Sequence, residues 1–417
     1  MGEGQKSSSP ARRIVLAIVL LMTFKTFQYF PGMQYVQEAW FVLCFLIVFF
    51  VYPFWKLQMG LRFVWFEVYL LALMLGDVIL AAWRAQYVFG QPLLYGILVQ
   101  RGMVLIAVLL ILVNALRRRM VGLAEIESAL LYLVWGTFVL FSAMRLLLNP
   151  SSFASYGVGF VTEPMPGTEA AFVLPSLFLI YGVFYYAILG MRTGLPRYYL
   201  AAAVLLFASL GASGRGLIVC VAASLLFSLY RLRGLRHSLV TIVKFGCIAV
   251  VLVGTFYVVF PAIVSARIAG FSDAFTVVFT GSATQDASAN ARIFETLTAL
   301  PYIQKHPILG NGVVSHQWQG GTAGALGQYF YADDIGVIGV VFSYGVFGLL
   351  LYLFQYQFAW IAAKGLQGSS HCRLLDAVKA YILYTAFYSV AGGMCVWSAE
   401  VTLFFIALLM GIAAETS

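Results

Sequence analysis

Apolar runs of about twenty residues recur along the whole chain, and clusters of Lys and Arg stand in every second gap between them. A helix of that length matches the roughly 30 Å hydrocarbon thickness of a bilayer. Lipid admits only helices or closed barrels, because every backbone N–H and C=O must find its partner inside the protein. Barrel strands alternate apolar and polar residues over about ten positions. The runs here are continuous, so helices are expected. Of 417 residues, 62% are hydrophobic and 10% charged, against about 25% charged in a soluble domain. Such a chain cannot cover a water-facing surface.

Twelve segments qualify, near 14–31, 38–55, 63–83, 93–116, 127–148, 171–191, 198–213, 216–230, 238–260, 337–363, 374–395 and 398–415. The expected fold class is an all-α polytopic membrane protein with about 12 transmembrane helices. Lys and Arg in short connections mark the cytoplasmic side. The clusters are Lys6/Arg12/Arg13, Lys56/Arg62, Arg117/Arg118/Arg119, Arg192/Arg197, Arg231/Arg233/Arg236 and Lys364/Arg373. They hold more than half of the 25 basic residues, so the net charge of +9 is a topology signal and nucleic acid is not an expected partner. Both termini fall on the cytoplasmic side. The first run lacks a small-residue cleavage site and continues into "FKTFQYFPG", so a retained helix is expected there. The organisation is a tail over 1–13, nine spans over 14–260, a long outer loop over 261–336 and three spans over 337–417. A second outer loop, 149–170, is rich in Gly, Pro and Ser. The five cysteines and four scattered histidines form no zinc spacing and no HExxH, so no disulfide, metal or cofactor is expected.

The stretch "LLFASLGASGRGLIVCVAASLLF" places Arg215 amid apolar residues. Basic clusters at Arg197 and Arg231 flank 198–230, so this segment must cross the membrane and return. Thirty-three residues give about 16 per helix, fewer than the ~20 of a full span. The "GASGRG" turn is therefore expected below the outer surface. With Ser213 as N-cap, Arg215 falls in the first helical turn, where a cation is unfavourable. An anion there removes the conflict, because free N–H groups and a guanidinium converge on one phosphate. The competing reading pairs Arg215 with Asp77 or Glu400, or has it snorkel.

The outer loop carries "ARIFETLTALPYIQKHPILGNGVVSHQWQGG". Residues 290–304 are expected to form an amphipathic helix with Ile293, Leu297, Leu300 and Ile303 on one face and Arg292 at its start. "KHPILGNG" then forces a turn. Arg267 and Arg145 are further outward guanidiniums, suited to bidentate phosphate contact or to pairing with Glu163, Asp286 or Glu295. Asp333 and Asp334 precede the tenth span. They fit a helix start or a general base. His316 is a rival base, and His306, in an "HP" turn, reads as structural.

The order of these features resembles the O-antigen polymerase and ligase superfamily: an Arg in an "SGRG" turn, then "R-x-F-E…L-x-x-I-x-x-HP-I-L-G-N-G" and "G-x-I-G-x-x-F-x-Y-G-x-x-G". The likeness covers roughly residues 198–363; the first five helices match only in general character. It implies a GT-C-like, metal-independent glycosyltransferase without cofactor in the bacterial inner membrane, with a large periplasmic loop containing short helices. Such enzymes move a glycan from undecaprenyl pyrophosphate onto a sugar hydroxyl at the periplasmic face. The partners implied are the lipid-linked glycan, membrane lipid, and a chain-length regulator or flippase of the same pathway. By position, Arg215 and Arg292 would bind the pyrophosphate. Ligases typically carry His-Asn where this chain reads Ala332-Asp333-Asp334, which favours a polymerase over a ligase. A transporter is the rival class, given charges at Lys25, Glu67, Asp77, Arg101, Lys244 and Lys379.

Overall fold

The computed structural model describes residues 10–28, 30–58, 63–156, 161, 172, 175–210, 216–234, 254, 257–258, 287–327, 330–366 and 372–416. Arg215, Arg267, Ser213, Glu163, Asp286 and nearly all of the expected span at 238–260 lie outside these residues. Among the described residues the regular structure is helical, apart from an isolated antiparallel bridge between Val161 and Phe172.

The helices are α1 (Pro10–Thr23), α2 (Met33–Gln58, with a π-helical turn at Ile47–Val51), α3 (Trp65–Phe89), α4 (Leu93–Val99), α5 (Arg101–Arg117) and α6 (Leu123–Leu147). Then come α7 (Leu177–Thr193), α8 (Pro196–Leu210), α9 (Gly216–Gly234), α10 (Ala287–Lys305) and α11 (Gly321–Leu326). A 3₁₀ turn, Ala332–Ile335, leads into α12 (Gly336–Leu353), followed by α13 (Gln355–Gly365), α14 (Cys372–Gly392), α15 (Met394–Trp397) and α16 (Ala399–Thr416).

The chain is an all-α membrane protein. Among the described residues, five helical stretches are long and apolar enough to cross a bilayer: α2, α3, α6, α9 and Ala332–Gly365. A sixth is added when α4 and α5, bent by 48° at a break, count as one. Other expected spans form shorter helices, and 238–260 lies almost wholly outside the described residues. α1 has 14 residues, α7 has 17 and α8 has 15. α1 stops at Thr23, and Lys25 takes a left-handed backbone at φ 52°, a conformation that side chains other than glycine rarely adopt.

The centre of the bundle is α16, whose residues from Leu403 to Leu409 are buried on every side. A helix apolar all round belongs in a core. It packs against α5, α13 and α14. The outside is apolar too: Phe50, Phe54 and Leu57 of α2, Trp65 and Leu146 are large exposed hydrophobics, as hydrocarbon surroundings permit. At one end of the bundle a polar staple holds α2, α3 and α5 together. Lys56 Nζ donates to both oxygens of Glu67 at 2.9 and 2.8 Å, Tyr52 donates to the same carboxylate at 2.9 Å, and Asn114 joins them. A buried pair persists only with such additional partners.

The "HPILGNG" turn has a structural task. α12 is broken at Gly345 (φ 68°, ψ −174°), which frees backbone groups that a membrane cannot satisfy. The turn satisfies them from both sides. The N–H groups of Asn311 and Gly312 donate to the carbonyls of Phe342 and Ser343, each at 2.8 Å. The N–H groups of Val346 and Phe347 donate to Pro307 and Ile308 at 2.9 and 3.0 Å. Buried Arg84 of α3 adds a bond from Nε to the Gly310 carbonyl at 2.9 Å. His306 stands in this turn with its ring 6.4 Å from Tyr87. The loop after α10 is thereby clipped to α12 and α3.

Candidate functional site

α10 lies against α12 and the 3₁₀ turn, but not on the face its leucines suggest. Leu297 is 61% exposed and Leu300 41% exposed, while Glu295, Thr298 and Ala299 are buried. Small Ala299 lets the helix close on Phe330, Ile335 and Phe342. The buried contact is made instead through Ala299 and through the bond from the Tyr331 N–H to Glu295, so the leucine stripe does not mark the inner face.

Glu295 holds the next segment in place. Its Oε1 accepts a hydrogen bond from the Tyr331 N–H at 3.1 Å, and Oε2 has no partner. Tyr331 opens the 3₁₀ turn that carries Asp333 and Asp334. Burial pushes the Glu295 carboxyl up to about 7, with Asp334 and Asp333 adding to the rise and the Tyr331 N–H and Arg292 opposing it. Between pH 4.5, the ordinary value, and about 7 the folded protein keeps a proton that the unfolded chain has released. Stability therefore falls as pH rises through that window and stays lower above it. The slope is at most about 1.4 kcal/mol per pH unit. Glu295→Gln, which mimics the protonated acid, is expected to flatten this dependence and to melt above wild type at pH 8. Thermal midpoints across the pH range check it; an unchanged slope would contradict the assignment.

Arg292 lies three residues before Glu295 on the exposed side of α10 and forms no ion pair among the described residues. Its charge acts on Glu295, on Asp334 and on Tyr388 of α14. Asp334 acts on Tyr388 as well, so these groups share one neighbourhood.

Next to them is a cleft of about 270 Å³ whose wall includes Asp333, His316, Tyr331, Thr322, Lys25 and Glu400. The His316 and Tyr331 rings lie 6.2 Å apart. Lys25 Nζ meets Glu400 Oε1 at 2.8 Å, with Glu400 5% exposed. Gln100 stands at the bend between α4 and α5, donating to the Val78 and Gly96 carbonyls at 3.3 and 3.1 Å. A second hollow of about 260 Å³ adjoins across Trp397, which lines both; Tyr384, Tyr388 and Leu217 belong to its wall.

Of the two helix-start roles open to Asp333 and Asp334, N-cap or first-turn acid, the structure shows the first-turn placement and not the cap. Neither the 3₁₀ turn nor α12 has a side-chain cap bond. Both acids lie in the first turn of the 3₁₀ segment and are exposed. Gly336 after them is pressed on the end of α14: a Cβ there would lie 2.4 Å from the Val390 carbonyl oxygen. A Cβ on Gly216 would lie 3.9 Å from Ala391 Cβ. The start of α9, the end of α14 and the acidic turn thus meet. Arg215 is one peptide bond before Gly216 in sequence and lies outside the described residues, as does Arg267.

The two acids considered as partners for Arg215 each have a partner among the described residues. Glu400 pairs with Lys25, and Asp77 accepts from Tyr352 Oη at 2.7 Å. Arg145 donates from Nη1 to the Ala208 carbonyl at 2.8 Å, a cation placed at the C-terminal turn of α8 where it is favourable. The structure thus gathers Arg292, Asp333, Asp334 and His316, and gives Arg145 a capping partner. Glu295 as a positioning residue, the Lys25–Glu400 pair, Gln100 and Tyr388 were not foreseen. The signal for the ion pair was two lone charges in apolar runs.

No model of a known protein family matches the chain, and no curated protein matches it. A functional reading has to stand on the site's own chemistry.

Proposed function

We propose that the protein transfers a glycan from an undecaprenyl-diphosphate carrier to a sugar hydroxyl at the periplasmic face of the inner membrane, polymerising repeat units of a surface polysaccharide. One observation carries this reading: Arg292, without an ion pair among the described residues, shares a neighbourhood with Asp334 beside a cleft walled by Asp333 and His316. A cation for an anionic leaving group and a base for an acceptor hydroxyl stand side by side. The proximity of Gly216 to the same place supports adding Arg215 to the cation set. α8, at 15 residues, rises about 22 Å, which suits a turn recessed from the outer surface of a ~30 Å core.

In this mechanism the acceptor oxygen attacks the anomeric carbon. The carbon–oxygen bond to the diphosphate breaks, and its electron pair leaves with the diphosphate. The hydroxyl proton passes to the Asp333 carboxylate, with His316 across the cleft as the alternative acceptor. Arg215 and Arg292 hold the diphosphate as its charge grows, with Arg267 as a further outer cation; preorganised cations of this kind are the main catalytic contribution. The twelve-span topology, with both termini cytoplasmic, belongs to this proposal.

The test reconstitutes the protein with lipid-linked repeat units. Lengthened glycan on the same carrier is the expected product. Transfer to a lipid A core would make it a ligase, and carrier movement across the bilayer without a new glycosidic bond would overturn the proposal. Because neither acid caps a helix, Asp333→Asn tests base chemistry without a lost cap. Turnover is expected to fall about a hundredfold or more.

A further inference from the structure

At the opposite end of the bundle a cavity of about 690 Å³ opens between α7, α9, α13, α14 and α16. Its lining has two characters. The inner part is apolar, with Ile188, Leu383, Ala386 and Leu409. The other part carries Arg231, Lys364 and Lys379. One carboxylate lines it, Asp376, and that group is already engaged by Arg192. Arg231 and Lys364 are the exposed cations at its mouth. The Lys364 ammonium lies 5.3 Å from the centre of the Trp360 ring. Trp360 and Tyr230, both in the lining, are exposed large hydrophobics, the residue types enriched at the level of lipid headgroups.

The surrounding basic residues fix which leaflet this is. Arg192, Arg231, Arg233 and Lys364 belong to the connections that the charge bias assigns to the cytoplasm. They come together here: Arg192 pairs with Asp376, and the Arg233 guanidinium contacts the Met191 carbonyl. Basic pockets between helices on that side suit anionic lipid headgroups.

We infer that this cavity binds an anionic phospholipid of the cytoplasmic leaflet, with its phosphodiester between Arg231 and Lys364 and an acyl chain along the apolar inner wall. A soluble phosphate would meet the cations and leave the apolar half unfilled. A zwitterionic lipid would fill the apolar half and bring its own cation to a cationic mouth. The site lies at the other end of the bundle from the cleft and does not depend on what that cleft does.

The test places the full chain in phosphatidylcholine nanodiscs, alone or doped with phosphatidylglycerol or with cardiolipin. Retained lipid is counted by native mass spectrometry, and thermal midpoints are recorded. Wild type is expected to retain cardiolipin and phosphatidylglycerol above phosphatidylcholine. Anionic lipid raises the midpoint, and inorganic phosphate does not. Arg231→Gln with Lys364→Gln weakens retention about thirtyfold, and either change alone about fivefold. Arg118→Gln with Arg119→Gln, which removes two cations from the same side outside the cavity, leaves retention unchanged. The single variants and the phosphatidylcholine midpoint serve if the double variant does not fold. Equal retention by wild type and single variants overturns the site. So does an equal loss in the Arg118/Arg119 control, or an equal midpoint shift with phosphate alone.

Discussion

Arg292→Ala is expected to lower glycan transfer about a hundred- to a thousandfold, the usual loss when one preorganised stabiliser of a developing charge is removed, while leaving the thermal midpoint nearly where it was. The two halves of this expectation come from the same geometry. The side chain is exposed and holds no ion pair among the described residues, so its removal breaks no ion pair there. Surface substitutions of that kind stay within about 0.5 kcal/mol. A guanidinium without an ion pair among the described residues, within electrostatic reach of Asp334 and Tyr388, is placed for an anion. Arg292→Lys keeps the charge and loses the planar fork, so a partial recovery is expected. Arg215→Ala is expected to be as severe, and the double variant little worse than either single one, because groups acting on one leaving group are not additive. Turnover of lipid-linked donor in proteoliposomes decides it. Near-wild-type rates in both single variants would mean that no diphosphate is held there.

Much of this architecture could be read from the chain before any coordinates. Apolar runs announced helices, and the basic clusters that meet near Asp376 were already segregated in sequence. The helix over Ala287–Lys305 matches the stretch expected at 290–304. Its orientation was not legible: Leu297 faces out and Glu295 faces in, because the contact is set by small Ala299 and by the carboxylate bond to the Tyr331 N–H, which apolar periodicity does not report. Pairings between distant segments were hidden too. Lys25 and Glu400 each read as an isolated charge in an apolar run, and only the packing of the turn after α1 against α16 gives each a partner. The acids at 333 and 334 looked like helix caps because that is the usual place for them, whereas the 3₁₀ turn and Gly336 at φ 54° separate them from the start of α12.

The second large effect is expected at the clip. Gly345→Ala and Gly312→Ala should each destabilise the protein by about 3 kcal/mol or more, since overpacking and a forced left-handed residue add together. At Gly345 (φ 68°) a Cβ would stand 2.1 Å from the Ile308 carbonyl oxygen. At Gly312 (φ 87°) it would stand 2.2 Å from the Ala85 nitrogen and 2.4 Å from the Ala81 oxygen. The obstacles are backbone atoms of packed elements, so no rotamer change relieves them. Gly32→Ala separates the two causes: its φ is 78° with nothing within 4 Å of the added carbon, so it carries the conformational cost of about 1–2 kcal/mol alone. Thermal midpoints of the three variants in one detergent make the comparison; shifts at 345 and 312 no larger than at 32 would mean the broken helix is not locked by the turn. The consequence reaches the cleft, because the same backbone bonds that fill the break at Gly345 fix α10, with Arg292 and Glu295, against the helix that begins just after Asp333. Loosening that register separates a cation from a carboxylate that have no direct bond to hold them together.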